Sequence, residues 1–202
     1  TVRPDYTFST PILNELDFTH HRVLAVTCHR RENYGEPMRN IMHAILLLVE
    51  ENPDVEVVYP VHLSPVVREC AFPILGSHPR IHLIDPIDVE EMHNLMARCF
   101  FVLTDSGGLQ EEAPALGKPV LVMRRETERP EAIAAGTAKL VGVEQETILR
   151  EANELLHSEA AYAKMAKAVN PYGDGHASER IVQAILWHFG RTADRPGDFC
   201  AQ

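Results

Sequence analysis

The chain of 202 residues is 45% hydrophobic and 24% charged, a composition that supports one sizeable core. Its 19 basic against 29 acidic residues give a formal charge of −10, which excludes a general nucleic-acid surface but leaves room for a local basic pocket. No run has the length of a transmembrane span, the opening residues lack a signal-peptide layout, and the four cysteines include no Cys-x-x-Cys pair. The expectation is therefore a cytoplasmic protein with reduced, mostly buried thiols and neither a membrane nor a nucleic-acid partner.

Residues 1–20 are irregular, with Pro4, Pro11 and a short amphipathic piece at 12–16, and read as a linker or the end of an element belonging elsewhere. Residues 22–27 form a continuous apolar run of strand length, followed by the polar stretch Cys28-His29-Arg30-Arg31-Glu32-Asn33-Tyr34-Gly35. Met38, Ile41, Met42, Ile45, Leu46 and Val49 then recur at helical spacing. The pattern repeats. Strands are predicted at residues 55–59, 81–84, 100–103, 119–123 and 138–141, with helices at 66–75, 89–97 and 109–116 and a short one starting at Pro130. Asp88 is placed to cap the helix after it, and Pro130 suits a first helical turn. Helices are also predicted at 146–157, 159–169 and 178–189, with a turn at Asn170-Pro171-Tyr172-Gly173-Asp174-Gly175 and a disordered tail from 191 to 202. Strands alternating with helices through short loops predict a doubly wound parallel α/β sheet of about six strands.

In such a sheet ligands sit beyond the carboxyl ends of the strands. His29-Arg30-Arg31-Glu32, His62, Asp85-Pro86-Ile87, Ser106-Gly107-Gly108 and Glu128-Arg129-Pro130 all fall there and should share one edge. Ser106 has the residue type of an N-cap whose hydroxyl accepts a backbone N–H, and Gly107 and Gly108 leave the first helical N–H groups open to an anion. Glu112 follows Gly108 by four residues and shares its helical face, which points it toward sugar hydroxyls beyond a phosphate; Glu111 is expected to point outward. Of the Arg30 and Arg31 pair, at least one is expected to face an anionic ligand, and His29 to hydrogen-bond it. His62 is balanced between packing and function. Arg129 is the candidate to reach the shared edge, with Arg124 and Arg125 expected to be solvated. His20, His21, His78, His82, His157 and His188 have neither the spacing nor the acidic neighbours of metal ligands. There is no Gly-x-Ser-x-Gly, Walker lysine or complete Gly-x-Gly-x-x-Gly motif.

The ordered series Cys28-His29-Arg30-Arg31-Glu32-Asn33, Tyr59-Pro60-Val61-His62, Asp105-Ser106-Gly107-Gly108-Leu109-Gln110-Glu111-Glu112-Ala113-Pro114, Leu116-Gly117-Lys118-Pro119-Val120, Thr127-Glu128-Arg129-Pro130-Glu131 and Asn170-Pro171-Tyr172-Gly173-Asp174-Gly175 resembles the non-hydrolysing UDP-N-acetylglucosamine 2-epimerases. The resemblance runs over residues 22–186 and covers the C-terminal half of that family. Its members pair two Rossmann-like domains in the arrangement called GT-B. It implies interconversion of UDP-N-acetylglucosamine and UDP-N-acetylmannosamine by elimination of UDP and re-addition, with no metal or other cofactor. It implies that His29, Ser106, Gly107, Gly108, Glu112 and Arg129 hold the nucleotide, His29 also acting in catalysis, and that Ile87 and Met92 line the uracil site. Arg30 and His62 match positions that bind a second, activating UDP-N-acetylglucosamine in some members. On this reading residues 1–20 are an interdomain linker remnant and residues 21–190 the UDP-binding domain, ending in a crossover helix. The acids acting at C2 belong to an N-terminal domain missing from the chain, and the whole protein is a homodimer serving cell-envelope polysaccharide synthesis. A GT-B glycosyltransferase half and a non-catalytic sugar-nucleotide sensor are the alternatives.

Overall fold

The computed structural model describes residues 2–197. After the short helix α1 (Pro11–Glu15), strands β1 (Arg22–Thr27), β2 (Val55–Pro60), β3 (Ile81–Ile84), β4 (Val102–Thr104), β5 (Val120–Val122) and β6 (Ala138–Leu140) alternate with helices. These are α2 (Glu36–Glu51), α3 (Pro65–Leu75), α4 (Val89–Arg98), α5 (Gly107–Glu112) and α6 (Pro130–Ala135), followed by α7 (Gln145–His157), α8 (Glu159–Ala166) and α9 (Ala177–His188). The six strands form one parallel sheet in the order β3-β2-β1-β4-β5-β6, the doubly wound architecture expected. The winding reverses between β1 and β4, where Thr27 pairs with Thr104.

The strands read as continuous apolar runs because both faces are covered. Leu24, Val26 and Val57 enter a core with α2, α3 and α7, while Val23, Ala25 and Val58 enter a second core with α1, α4 and α5. The alternation follows the two-residue period of a strand. Cys28 and Cys99 are buried and free, and burial pushes the Cys99 thiol up to about 12. Cys70 is free and partly buried, and Cys200 lies outside the described residues.

Several element boundaries differ from expectation. β4 starts at Val102 and runs into the polar end Thr104, whereas the Phe100 ring turns away to stack on Tyr162 at 4.4 Å. The helix expected at 109–116 breaks after Glu112 and resumes as a 3-10 turn, Pro114–Leu116, since Pro114 has no N–H to donate and its ring crowds the carbonyl one turn back. Helix α8 stops at Ala166.

The segment before β1 is packed onto this domain. Phe8 and Leu13 are buried, and the buried carboxylate of Glu91 on α4 accepts the N–H groups of Ser9 and Thr10 and the Thr10 hydroxyl. By contrast α9 buries none of its residues, leaving Ile181, Val182, Ile185 and Trp187 exposed. Residues 191–197 have no regular structure, and the rest of the expected disordered tail, 198–202, lies outside the described residues. Among the described residues no helix is long and apolar enough to cross a membrane.

Candidate functional site

The loop after β1 and the turn after β4 meet at the reversal of the sheet, and Asp105 ties them together. Its carboxylate is fully buried and accepts the N–H groups of His29 at 2.9 Å and Arg30 at 2.7 Å, together with Asn33 Nδ2 at 3.1 Å. Asn33 also donates to the Met123 carbonyl beyond β5, which draws a third strand end into the same knot. Below it the Thr27 and Thr104 hydroxyls share a buried hydrogen bond of 2.6 Å. A buried carboxylate is tolerated when donors surround it, and here the donors are the backbone of the loop carrying His29 and Arg30.

Held in this way, the His29 ring stacks on His62 with centroids 5.5 Å apart. His62 Nδ1 accepts the Ser64 N–H at 3.0 Å, so the neutral ring carries its proton on Nε2. The two rings form a shared wall. On one side lies a cavity of about 240 Å³, lined by His29, His62, Ile87, Met92, Ser106 and Leu109 among others. On the other is a recess of about 540 Å³ bordered by Arg30, Arg31, Tyr34 and Ser64.

The mouth of α5 opens beside this wall. Neither Gly107 nor Gly108 has positive φ, so backbone strain does not require glycine there. What the glycines provide is bare space under charge. A Cβ on Gly107 would stand 3.5 Å from Arg30 Nη2 and 3.8 Å from Arg129 Nη2, and one on Gly108 would stand 3.5 Å from Glu112 Oε1. Two guanidinium groups thus converge on the first N–H groups of the helix, an arrangement that attracts an anion by charge and by directed donors. Ser106 occupies the N-cap position, but its hydroxyl makes no capping bond, contrary to expectation. Its backbone is held instead, through its N–H to Thr104 Oγ1 at 2.9 Å and its carbonyl to Gln110 Nε2 at 3.1 Å.

The charged residues are paired differently from the sequence reading. Glu111, expected to point outward, binds Arg129 Nε and holds that guanidinium near the turn. Arg124, expected to be solvated, is buried and bridges Glu32 and Glu128, while Arg125 is exposed and pairs with Glu144. The Arg124 guanidinium holds the Glu128 carboxyl down to about 2, and Glu128 in turn lies 3.9 Å from Arg30 Nη1. Asp88 does cap α4, accepting the Glu91 N–H at 2.8 Å, and Pro130 opens α6. All the candidate residues therefore lie around one edge: His29, His62, Ile87, Met92 and Ser106 at the cavity, and Arg30, Gly107, Gly108, Glu112 and Arg129 at the mouth of α5. The acceptor role of Asp105 was not read from the sequence; a carboxylate between a buried strand and a Ser-Gly-Gly turn was the available signal for it. Among the described residues no group of three or more His, Cys, Asp and Glu is arranged to hold a metal ion.

The strand order and the polar edge define a Rossmann-like α/β domain. More narrowly, the chain belongs to the UDP-N-acetylglucosamine 2-epimerase family, whose model matches residues 2–186. It is 52% identical over 199 residues to the UDP-N-acetylglucosamine 2-epimerase of Bacillus subtilis, covering 98% of this chain and 51% of that protein. Its fold matches Staphylococcus aureus MnaA, solved with UDP, at a TM-score of 0.92 and 46% identity, covering 99% of this chain and 54% of the other. It also matches the Neisseria meningitidis UDP-GlcNAc 2-epimerase solved with UDP-GlcNAc, at 0.83 and 45% identity, covering 88% of this chain and 47% of the other. The chain spans about half the length of the curated relatives it matches.

Proposed function

We propose that this chain is the UDP-binding half of a non-hydrolysing epimerase that interconverts UDP-N-acetylglucosamine and UDP-N-acetylmannosamine. The observation that carries the reading is the convergence of Arg30 and Arg129 on Gly107 at the reversal of the sheet, beside a cavity lined by Ile87, Met92 and Ser106. The diphosphate occupies the mouth of α5, with Ser106, Gly107 and Gly108 as donors and Arg129 as counter-charge. The uracil lies against Ile87 and Met92, and Glu112 accepts the ribose hydroxyls. In the elimination step the bond from C1 of the sugar to the diphosphate oxygen breaks with its electron pair leaving on UDP, and C2 gives up its proton to form the 2-acetamidoglucal. The return step reverses both changes: C2 takes a proton on the opposite face and C1 re-forms its bond to the UDP oxygen. Charge develops on the departing diphosphate, and preorganised donors there, His29 and Arg129 among them, favour that state; the loss of one such donor costs about 10²–10³ in rate.

On this reading the acid and base at C2 come from a second Rossmann-like domain in the GT-B arrangement, which the exposed apolar face of α9 would meet. Residues 1–20 serve as the link to it, residues 21–190 form the UDP-binding domain, and the whole enzyme is a cytoplasmic homodimer of envelope polysaccharide synthesis. The recess behind the His29–His62 wall, bordered by Arg30, favours a second UDP-N-acetylglucosamine as activator. Calorimetry with UDP and an epimerisation assay test the proposal. The chain should bind UDP and convert no UDP-N-acetylglucosamine alone. Absence of UDP binding, or robust turnover by this chain, overturns it.

A further inference from the structure

His93 lies next to Met92 on α4 and has no role in the scheme above. Its Nε2 stands 3.0 Å from Glu112 Oε2, while Glu112 Oε1 faces the space above Gly108. The carboxylate is thereby divided: one oxygen is held from the α4 side and the other is offered to the mouth of α5. Both side chains are partly exposed, and a polar contact of that kind adds little to folding, so its value lies in orientation. The platform beneath it is firm. Asp88 caps α4, and the buried Glu91, two residues before His93, anchors residues 9 and 10. Because Met92 and His93 are consecutive, one turn of one helix sets the spacing between the wall of the cavity and the carboxylate. An N–H donated to Oε2 also draws charge toward the far side of Glu112, which reduces its repulsion of an anion at the helix mouth.

We propose that His93 is a positioning residue that makes Glu112 a selective acceptor for ribose hydroxyls. The inference rests on the UDP reading above. Its test is calorimetric titration of the chain and of its His93→Ala and His93→Gln variants with UDP and with the dideoxy analogue lacking both ribose hydroxyls. The parent chain should prefer UDP by about tenfold or more, as expected for hydrogen bonds to a charged acceptor. His93→Ala should cut that preference to within about threefold by weakening UDP alone, and His93→Gln, which retains a donor, should restore much of it. Full preference in His93→Ala, equal weakening of both ligands, failure of His93→Gln to restore any preference, or no preference in the parent overturns the proposal. A parent chain that binds neither ligand defeats the UDP reading as well.

Discussion

Asp105 receives the Arg30 N–H at 2.7 Å across 75 residues of sequence, so the turn after β4 and the loop after β1 behave as one unit. Asp105→Ala would leave the part-buried N–H groups of His29 and Arg30 without their acceptor and Asn33 Nδ2 with only the Met123 carbonyl. The expected loss is about 2–4 kcal/mol of unfolding free energy, read from denaturant melts. Asp105→Asn keeps the shape but turns an amide toward donors, and should lose UDP affinity as well as stability.

Gly107→Ala separates folding from binding. The backbone φ there is not positive and a methyl meets only ordinary contacts, so stability should hold or rise by about 0.5 kcal/mol. The same methyl intrudes where an anion would approach the N–H groups. UDP affinity should fall by about tenfold or more by calorimetry, an ionic bond to the helix mouth being weakened with its geometry. Unchanged affinity would place the diphosphate elsewhere.

Glu111→Gln frees Arg129 without removing it. If Glu111 acts by holding that guanidinium, UDP should bind about three- to tenfold more weakly with little change in melting temperature, because the pair is partly exposed. Arg129→Ala should weaken UDP further, and the double variant should match Arg129→Ala alone, since the carboxylate acts through the arginine.

Acid stability should carry a component from Glu128. Its folded-state carboxyl is held at about 2 by Arg124, below its ordinary 4.5, so the unfolded chain takes up the proton first as pH falls. The contribution is present above about pH 4.5 and is lost toward about pH 2. Glu128 is half exposed, and solvent screening makes the effect modest. Comparing melts of the parent chain and Glu128→Gln across that window should show a smaller acid loss in the variant. Parallel curves would remove the pair from the acid response.

Much of this architecture was legible in the chain itself. The apolar runs at 22–27 and 55–60 and the helical spacing from Met38 to Val49 specify alternating strands and helices, because burial on one or two faces imposes local periods. The same alternation sends His29, His62 and Ser106 to strand carboxyl ends. Local periodicity has no means of ordering strands or matching charges. That β1 adjoins β4, which partner Glu111 or Arg124 takes, and that Phe8 and Leu13 are buried against α4 all depend on neighbours distant in sequence. Local pattern alone specifies an α/β chain with a Ser-Gly-Gly turn at a strand's carboxyl end. How that turn is held depends on the folded arrangement, because Asp105 acquires its donors from a loop that packing alone brings within hydrogen-bond reach.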